Sequence, residues 1–348
     1  MAPMRDEVLK YDHTTTISML NSDLKLKENI FENPDTAATR DGFGKGLVEA
    51  AQADSRVVAL SADLTESTRV EEFKAKFPDR FIEVGVAEQN LAALASGFAA
   101  YGKIPYITSY AAFNPGRNNE QIRTTISLNN VHVVVCGMHA GISVGPDGAT
   151  HQALEDLALM RIQPNMTVIS PCDEEEARKA TIAAAKHDGP IYLRFSREKT
   201  PSMTTAETPF EIGKANVLWK SAQPKVAIFG TGPLLHNALL AARELEQQGI
   251  ESTVVNIHTI KPLDREAIVR EAKSAGAVVT VEEHQVHGGF GSAIAELLAS
   301  DSPIPIEFIG VQDQFGQSGT PAELIEHYGM GVSHIIEAAK RAARRRAA

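Results

Sequence analysis

The chain has 348 residues, of which 43% are hydrophobic and 22% charged, a balance typical of a globular protein with room for two domains. Its formal net charge of -10 argues against nucleic-acid or membrane-surface binding, because both need a basic face. The two cysteines form no CxxC pair, and neither a signal-peptide pattern nor an apolar run of membrane-spanning length occurs, so the sequence predicts a cytoplasmic protein without disulfides.

Residues 1–37 are polar and irregular, and we expect them to form an N-terminal arm. Residues 38–200 alternate buried-strand patterns with helical patterns and form the first predicted domain. Its clearest predicted elements are strands at 56–60, 131–136 and 166–170 and a helix at 173–186. Strands that alternate with helices form parallel sheets covered on both faces, so this half predicts a doubly wound α/β domain.

Residues 201–224 contain three prolines and predict a linker. Residues 225–348 then repeat the alternation and predict a second doubly wound α/β domain. Its predicted strands lie at 226–229, 252–257, 277–281 and 306–309, and its predicted helices at 234–248, 264–275 and 291–299, before a closing helix.

The segment RFIEVGVAEQN, residues 80–90, places Glu88 at the start of a helix made of small residues. A carboxylate in that position is partly desolvated, which suits proton exchange with a heteroaromatic nitrogen near neutral pH. The position equally suits an acid that only interacts with the helix dipole. This segment alone leaves both interpretations open.

A glycine-rich loop, residues 138–152 (MHAGISVGPDGATHQ), follows the predicted strand that ends at Cys136. It carries His139, Asp147 and His151. Ligands bind beyond the carboxyl ends of strands in open α/β sheets, so these side chains predict acid-base catalysis and recognition of substrate hydroxyl groups. A metal site is disfavoured, because no cysteine completes it and the histidine spacing matches no standard ligand pattern.

As a set, the motifs resemble the C-terminal section of transketolase, a pyrimidine-binding domain followed by the transketolase C-terminal domain. The resemblance covers residues 38–338, in the order that the family shows. The motifs are ATRDGFGKGL (38–47), SADLTES (61–67), GVAEQN (85–90), GPDGATHQALEDLALMR (145–161), LRFSREKTP (193–201), NIHTIKPLD (256–264) and EEHQVHGGFGSA (282–293). The resemblance implies the thiamine-diphosphate-binding (pyrimidine) fold in the first domain.

The resemblance implies that Glu88 bonds N1′ of the aminopyrimidine ring of thiamine diphosphate and activates the cofactor. Tyr110 and Phe113 would stack against that ring, and Asp63 would lie near the cofactor and the donor sugar. Gly116 stands where many members carry a third aromatic residue.

The implied reaction is transfer of a two-carbon ketol unit between sugar phosphates, as in the pentose phosphate pathway. His139 and His151 would be catalytic and would contact carbonyl and hydroxyl groups of the substrate, while Asp147 would contact the sugar 2-hydroxyl. The sugar phosphate would be held, near His139, by Arg40, Ser67 and Arg197. A guanidinium fork matches phosphate oxygens bidentately, which suits the two arginines to that role.

The sequence shows no GDG…N run, the motif with which the family's N-terminal domain binds magnesium and the diphosphate. The resemblance therefore implies a partner, the transketolase N-terminal-section subunit, that holds the Mg²⁺ or Ca²⁺ ion, and no metal site on this chain. Self-association to a dimer, and to a heterotetramer with the partner, is expected. Three other classes compete with this interpretation: a 1-deoxyxylulose-5-phosphate synthase-like subunit, a 2-oxo-acid dehydrogenase E1 beta-like subunit and a non-catalytic scaffold. A specialised split transketolase that acts on an unusual sugar also stays open, because details of the pocket decide substrate choice.

Overall fold

The computed structural model describes residues 19–346. In the first half of this range, strands alternate with helices. The strands are β1 (Thr36–Ala38), β2 (Val57–Ser61), β3 (Phe81–Glu83), β4 (Ile104–Tyr110), β5 (Val134–Met138), β6 (Thr167–Ile169), β7 (Ile191–Arg194) and β8 (Lys199–Pro201). The α-helices are α1 (Thr39–Ala53), α2 (Glu71–Lys76), α3 (Glu88–Ala100), α4 (Asn119–Gln121), α5 (Asp156–Arg161) and α6 (Glu174–Ala184). A π-helical turn (Ile122–Ser127) and short 3-10 helices (Ser22–Leu24, Pro78–Arg80, Ile142–Asp147) complete this half.

The second half repeats the alternation. Its strands are β9 (Asn216–Lys220), β10 (Val226–Gly230), β11 (Ser252–Asn256), β12 (Thr259–Lys261), β13 (Val278–Gln285) and β14 (Ile306–Val311). Its helices are α7 (Leu235–Gln247), α8 (Arg265–Ala275), α9 (Phe290–Asp301), α10 (Pro321–His327) and α11 (Val332–Arg346).

The strands form two large, mainly parallel sheets. The first has seven strands in the order β12-β6-β7-β5-β4-β2-β3, in which β12 alone runs antiparallel to its neighbour. The second has five strands in the order β14-β13-β10-β11-β9, with β9 antiparallel at one edge. The mixed α/β fold with two parallel-sheet domains, predicted from the sequence, is confirmed.

Strand β2 shows why the sequence pattern predicted a buried parallel strand. All five of its side chains are buried, as expected for a central parallel strand covered by helices on both faces. Val57 and Ala59 pack into the apolar cluster on one face, whereas Val58 and Leu60 pack into the cluster on the other. A continuous apolar run, rather than an alternating one, is the consequence.

The structure differs from the prediction between the domains. Residues 216–220, inside the predicted linker 201–224, form the edge strand β9, and Trp219 on it is fully buried. The described part of the predicted arm, residues 19–37, also packs against this strand: the backbone N–H of Asn21 donates to the Leu218 carbonyl at 2.9 Å. Residues 1–18 of the arm lie outside the described range. The predicted limits of the arm and the linker did not include this packing, because an edge strand and a short 3-10 turn show little hydrophobic periodicity.

Candidate active site

The candidate active site lies beyond the carboxyl ends of the parallel strands in the first sheet. Glu88 comes shortly after β3, Tyr110 ends β4, His139 directly follows β5 and Arg197 follows β7. Neighbouring parallel strands end at one edge of a sheet, so the fold brings together side chains that are far apart in the chain.

Glu88 is buried at the first residue of α3, with 2% of its surface exposed. Its Oε1 accepts a hydrogen bond from Ser109 Oγ at 3.5 Å, and its backbone carbonyl accepts one from Asn118 Nδ2 at 3.0 Å. Its Oε2 has no hydrogen-bond partner within residues 19–346, although the Arg117 guanidinium lies 3.8 Å away. A buried polar atom without a hydrogen bond is costly, so this oxygen marks a position for a ligand.

Four aromatic and imidazole rings form a cluster at the same edge of the first sheet as Glu88. Tyr110 and Phe113 are stacked with their centroids 6.2 Å apart. His139 stacks on Tyr110 at 4.2 Å, and His151 meets Phe113 edge-on at 5.5 Å. The sequence predicted all four rings as site residues, and the structure brings them into one cluster.

His139 is held as a neutral imidazole. Its Nε2 lies 2.9 Å from Arg40 Nη1, and because a guanidinium can only donate, the imidazole proton must reside on Nδ1. Burial lowers the pKa of His139 to about 3, and the charges of Arg40 and Arg197 act in the same direction. The Nδ1 atom is buried and has no partner within residues 19–346, so one N–H donor is left for a ligand.

A cluster of three guanidinium groups, Arg40, Arg69 and Arg197, forms the cationic side of the site. Arg40 Nη1 also donates to the Ser67 carbonyl at 3.0 Å, whereas Arg197 Nη1 donates to Asp147 Oδ2 at 3.2 Å. Burial lowers the pKa of Arg40, as do the charges of Arg69 and Arg197. Mutual repulsion of this kind is relieved by an anion, so the cluster suits a phosphate-sized ligand.

Two positions singled out in the sequence have local explanations. Asp63 is exposed at the end of β2 with a φ of +59°, and its backbone N–H donates to Glu83 Oε1 at 2.7 Å. Its own carboxylate has no partner in the described part of the chain, so its role near the cofactor stays a prediction. A side chain at Gly116 would collide with the Ala112 carbonyl, so this backbone has no room for a third aromatic residue there.

Sequence reasoning missed the residues that support Glu88 and the cationic cluster. Arg69 pairs with Asp41 at 2.6 Å, and its only sequence signal was its position two residues after the SADLTES motif. Asn118 is buried and donates to Asn114 Oδ1 at 3.0 Å as well as to the Glu88 carbonyl. Residues 114–118 form turns rather than a helix, so the spacing of these two asparagines gave no usable signal.

Other kinds of site find no support in the described residues. Between residues 19 and 346, no three His, Cys, Asp or Glu side chains gather in a way that could hold a metal ion. Over the same range, none of the helices combines the length and apolarity that a bilayer crossing requires. Cys136 and Cys172 are free and buried, and burial raises the pKa of both thiols, so neither is poised as a nucleophile.

Comparison with known proteins matches residues 35–203 to the transketolase pyrimidine-binding domain and residues 213–335 to the transketolase C-terminal domain. The 6-deoxy-6-sulfo-D-fructose transketolase subunit of Clostridium sp. (strain MSTE9) is 41% identical over 300 residues, which are 86% of this chain and 92% of that subunit. Transketolase-like protein 2 of Mus musculus is 40% identical over 93% of this chain and 51% of its own length. A solved structure described as a split gene transketolase, inactive beta4 tetramer, is 43% identical, with a TM-score of 0.83 over 89% of this chain and 99% of that one.

These similarities agree with the fold and with the order of the motifs. The chain spans nearly all of the split relatives but about half of the mouse protein. The resemblance read from the sequence is therefore confirmed. The chain belongs to the transketolase family, of which it carries the pyrimidine-binding domain and the C-terminal domain.

Proposed function

We propose that the chain is the pyrimidine-binding subunit of a split transketolase that transfers a two-carbon ketol unit between sugar phosphates. The observation that carries the proposal is the buried Oε2 of Glu88, which has no hydrogen-bond partner in the described chain and lies at the strand edge that also bears the stacked rings of Tyr110 and Phe113. A carboxylate beside aromatic rings is what recognition of an aminopyrimidine requires.

These residues fit thiamine diphosphate, the cofactor of the family. When bound, the cofactor supplies the carbon nucleophile that accepts the ketol unit. Glu88 would exchange a proton with ring atom N1′, and Tyr110 and Phe113 would pack against the pyrimidine. Exclusion of water by α3 and the ring cluster would keep the carboxylate desolvated, which strengthens its interaction with the ring nitrogen.

The substrate would lie between the two histidines and the arginines. His139 presents its free Nδ1–H as a donor to a substrate oxygen, and His151 faces the same ring cluster from the other end of the glycine-rich loop. Asp147 would accept from a sugar hydroxyl. The phosphate would be held by the cationic cluster together with Ser67, because charge-assisted hydrogen bonds are the strong ones.

The diphosphate and its metal ion would be held by a partner, the transketolase N-terminal-section subunit. Support comes from apolar side chains that are exposed near Glu88: Val86, two residues before it, is 73% exposed, and Leu94, on the helix that Glu88 begins, is 38% exposed. Exposed apolar side chains grouped around a site mark an interaction surface. The relative described as an inactive beta4 tetramer favours self-association. We further propose that this chain and its partner form a heterotetramer that acts in the cytoplasm, in the pentose phosphate pathway.

Arg197→Ala tests the function through the donor substrate. With the partner subunit present, we expect kcat/KM for a phosphorylated ketose donor to fall by roughly 10- to 100-fold, the loss of one charge-assisted contact. For hydroxypyruvate, a donor without a phosphate, kcat/KM should fall only slightly. Steady-state kinetics with both donors measures the difference, and Arg178→Ala, which removes a partly buried arginine paired with Glu49 and Glu175, is the matched control. Equal losses for both donors would exclude Arg197 from the phosphate pocket.

The name of the Clostridium relative adds a second candidate donor, a sugar with a sulfonate in place of the phosphate. A sulfonate carries one negative charge and a phosphate up to two. Because Arg69 and Arg197 are also paired with Asp41 and Asp147, the charge of the cluster does not by itself decide between the two anions. Competition of the two sugars in one assay decides between them. Preference for the sulfonated sugar would change the substrate while leaving ketol transfer intact.

His151→Ala is expected to lower kcat by roughly 10- to 100-fold and to change KM much less, as for a group whose bonds strengthen in the transition state. The reason is its place beside Tyr110 and Phe113, where a reacting group would lie. Full rate-against-concentration curves separate the two parameters. His334→Ala, at an exposed position paired with Glu326, serves as control. A change in KM alone would make His151 a binding residue.

A further inference from the structure

A buried carboxylate of the second domain contacts the glycine-rich loop of the first. Glu283 lies on β13 and is 4% exposed. Its Oε1 accepts a hydrogen bond from the Ser143 backbone N–H at 2.6 Å. A side chain at Gly141, which has a φ of +90°, would collide with the Glu283 carboxyl group. The glutamate is therefore packed directly against the loop backbone.

Glu283 is itself fixed by a buried ion pair. Its carbonyl accepts from Arg194 Nη2 at 2.8 Å, and Arg194 Nε donates to Asp156 Oδ2 at 2.8 Å. Burial favours the neutral form of Asp156, but the Arg194 guanidinium outweighs it and holds the pKa of Asp156 below its usual range. The second domain thus reaches the loop through a glutamate whose own backbone is bonded to a buried ion pair.

The loop residue next to Ser143 contacts the cationic cluster. The residue after Ser143 is Val144, whose carbonyl accepts from Arg197 Nη1 at 3.1 Å. The same Arg197 nitrogen donates to Asp147, further along the loop. The positions of Ser143 and Arg197 are therefore linked through one peptide unit.

We propose that Glu283 is a positioning residue for the anionic end of the substrate: by holding Ser143 it fixes the Val144 carbonyl and, with it, the guanidinium of Arg197. The inference rests on the proposed function, since it assigns Arg197 to the substrate's phosphate. Through Glu283 the second domain would take part in substrate recognition, although Glu283 itself does not contact the substrate.

The experiment has two readouts. In the complex with the partner subunit, Glu283→Ala should raise KM for a phosphorylated donor about tenfold, because the buried Ser143 N–H loses its acceptor, and should change KM for hydroxypyruvate less than about twofold. In the isolated full chain, the same change should speed amide hydrogen exchange in residues 141–147. Glu282→Ala is the control: Glu282 is equally buried but accepts from the Phe290 and Gly291 amides at the start of α9.

A pair of conservative variants separates reach from charge. Glu283→Gln keeps an oxygen within reach of Ser143 and should restore KM to within about threefold of wild type. Glu283→Asp keeps the charge but is one methylene too short, and should resemble Glu283→Ala. If the alanine variant does not fold, this pair decides alone. The inference would be overturned if KM of Glu283→Asp lay closer to wild type than KM of Glu283→Gln. It would also be overturned if Glu283→Ala changed neither amide exchange in residues 141–147 nor the ratio of KM values for the two donors.

The two proposals fail in different ways. Absence of ketol transfer by the wild-type complex would refute the proposed function, while the exchange measurement on the isolated chain would still decide whether Glu283 holds the loop. Normal transfer with no effect of Glu283→Ala on either readout would refute the positioning role alone.

Discussion

Glu88→Gln is expected to lower kcat of the complex with the partner subunit by at least about 100-fold, the low end of what general acid–base catalysis contributes. Glutamine matches glutamate in size and can still accept from Ser109, so the start of α3 should be preserved. It cannot exchange a proton with a ring nitrogen, however. Turnover under saturating substrate and cofactor measures the effect, and thermal unfolding of the variant checks that the fold is unchanged.

A matched control removes a carboxylate that has no place in the site. Glu120→Gln changes an exposed glutamate of α4 that lies next to Gln121, and its kcat should stay within about twofold of wild type, as for surface changes in general. If Glu88→Gln kept more than about a tenth of wild-type kcat, the barrier would have changed by less than ~1.4 kcal/mol. Glu88 would then not be the proton-exchanging group.

The isolated chain is expected to fold and to show no ketol transfer, even with excess thiamine diphosphate and magnesium. A diphosphate–metal group needs carboxylate and amide oxygens to hold the metal, and residues 19–346 contain no group of three His, Cys, Asp or Glu side chains placed to do so. The pyrimidine end alone offers ring packing and one carboxylate, which is too little for more than weak affinity. Calorimetric titration of the isolated chain with the cofactor, with and without magnesium, measures this directly.

Adding the partner subunit should restore activity, and the restored activity should saturate as the partner is titrated. The titration shows whether activity requires a defined complex, because contamination by an intact transketolase would add activity without saturation. Magnesium-dependent cofactor binding to this chain alone at micromolar concentration would contradict the two-subunit site. So would ketol transfer by the chain alone.

Much of the fold was predictable because a buried parallel strand has a plain signature. The structure shows β2, β5 and β10 within three residues of the predicted limits, since each is a continuous apolar run. Short or edge strands were harder. β3 has no fully buried side chain, and β12 has three residues and runs antiparallel, so neither produces a pattern that differs from a loop.

For the candidate site, the sequence predicted the residues that carry chemistry better than the residues that place them. Glu88, His139 and Arg197 were named from motifs, and they lie at one sheet edge. The support of Glu88 by Asn118, and of the glycine-rich loop by Glu283, joins segments separated by 30 and 140 residues. No local pattern encodes such pairs, because the first forms only when the strands of the first sheet have assembled, and the second only when the two sheets have packed together.

Strand β12 limits where the coding sequence of such an enzyme can be divided. It belongs by sequence to the second domain, yet it forms the edge of the first sheet beside β6. Nearby Ile257 and Ile260 fill the same apolar cluster as Val168 of β6. A gene break between the two domains would leave one product with an open sheet edge and an exposed apolar face, the features that promote aggregation. A break ahead of the first sheet leaves both sheets whole, with β12 still paired to β6.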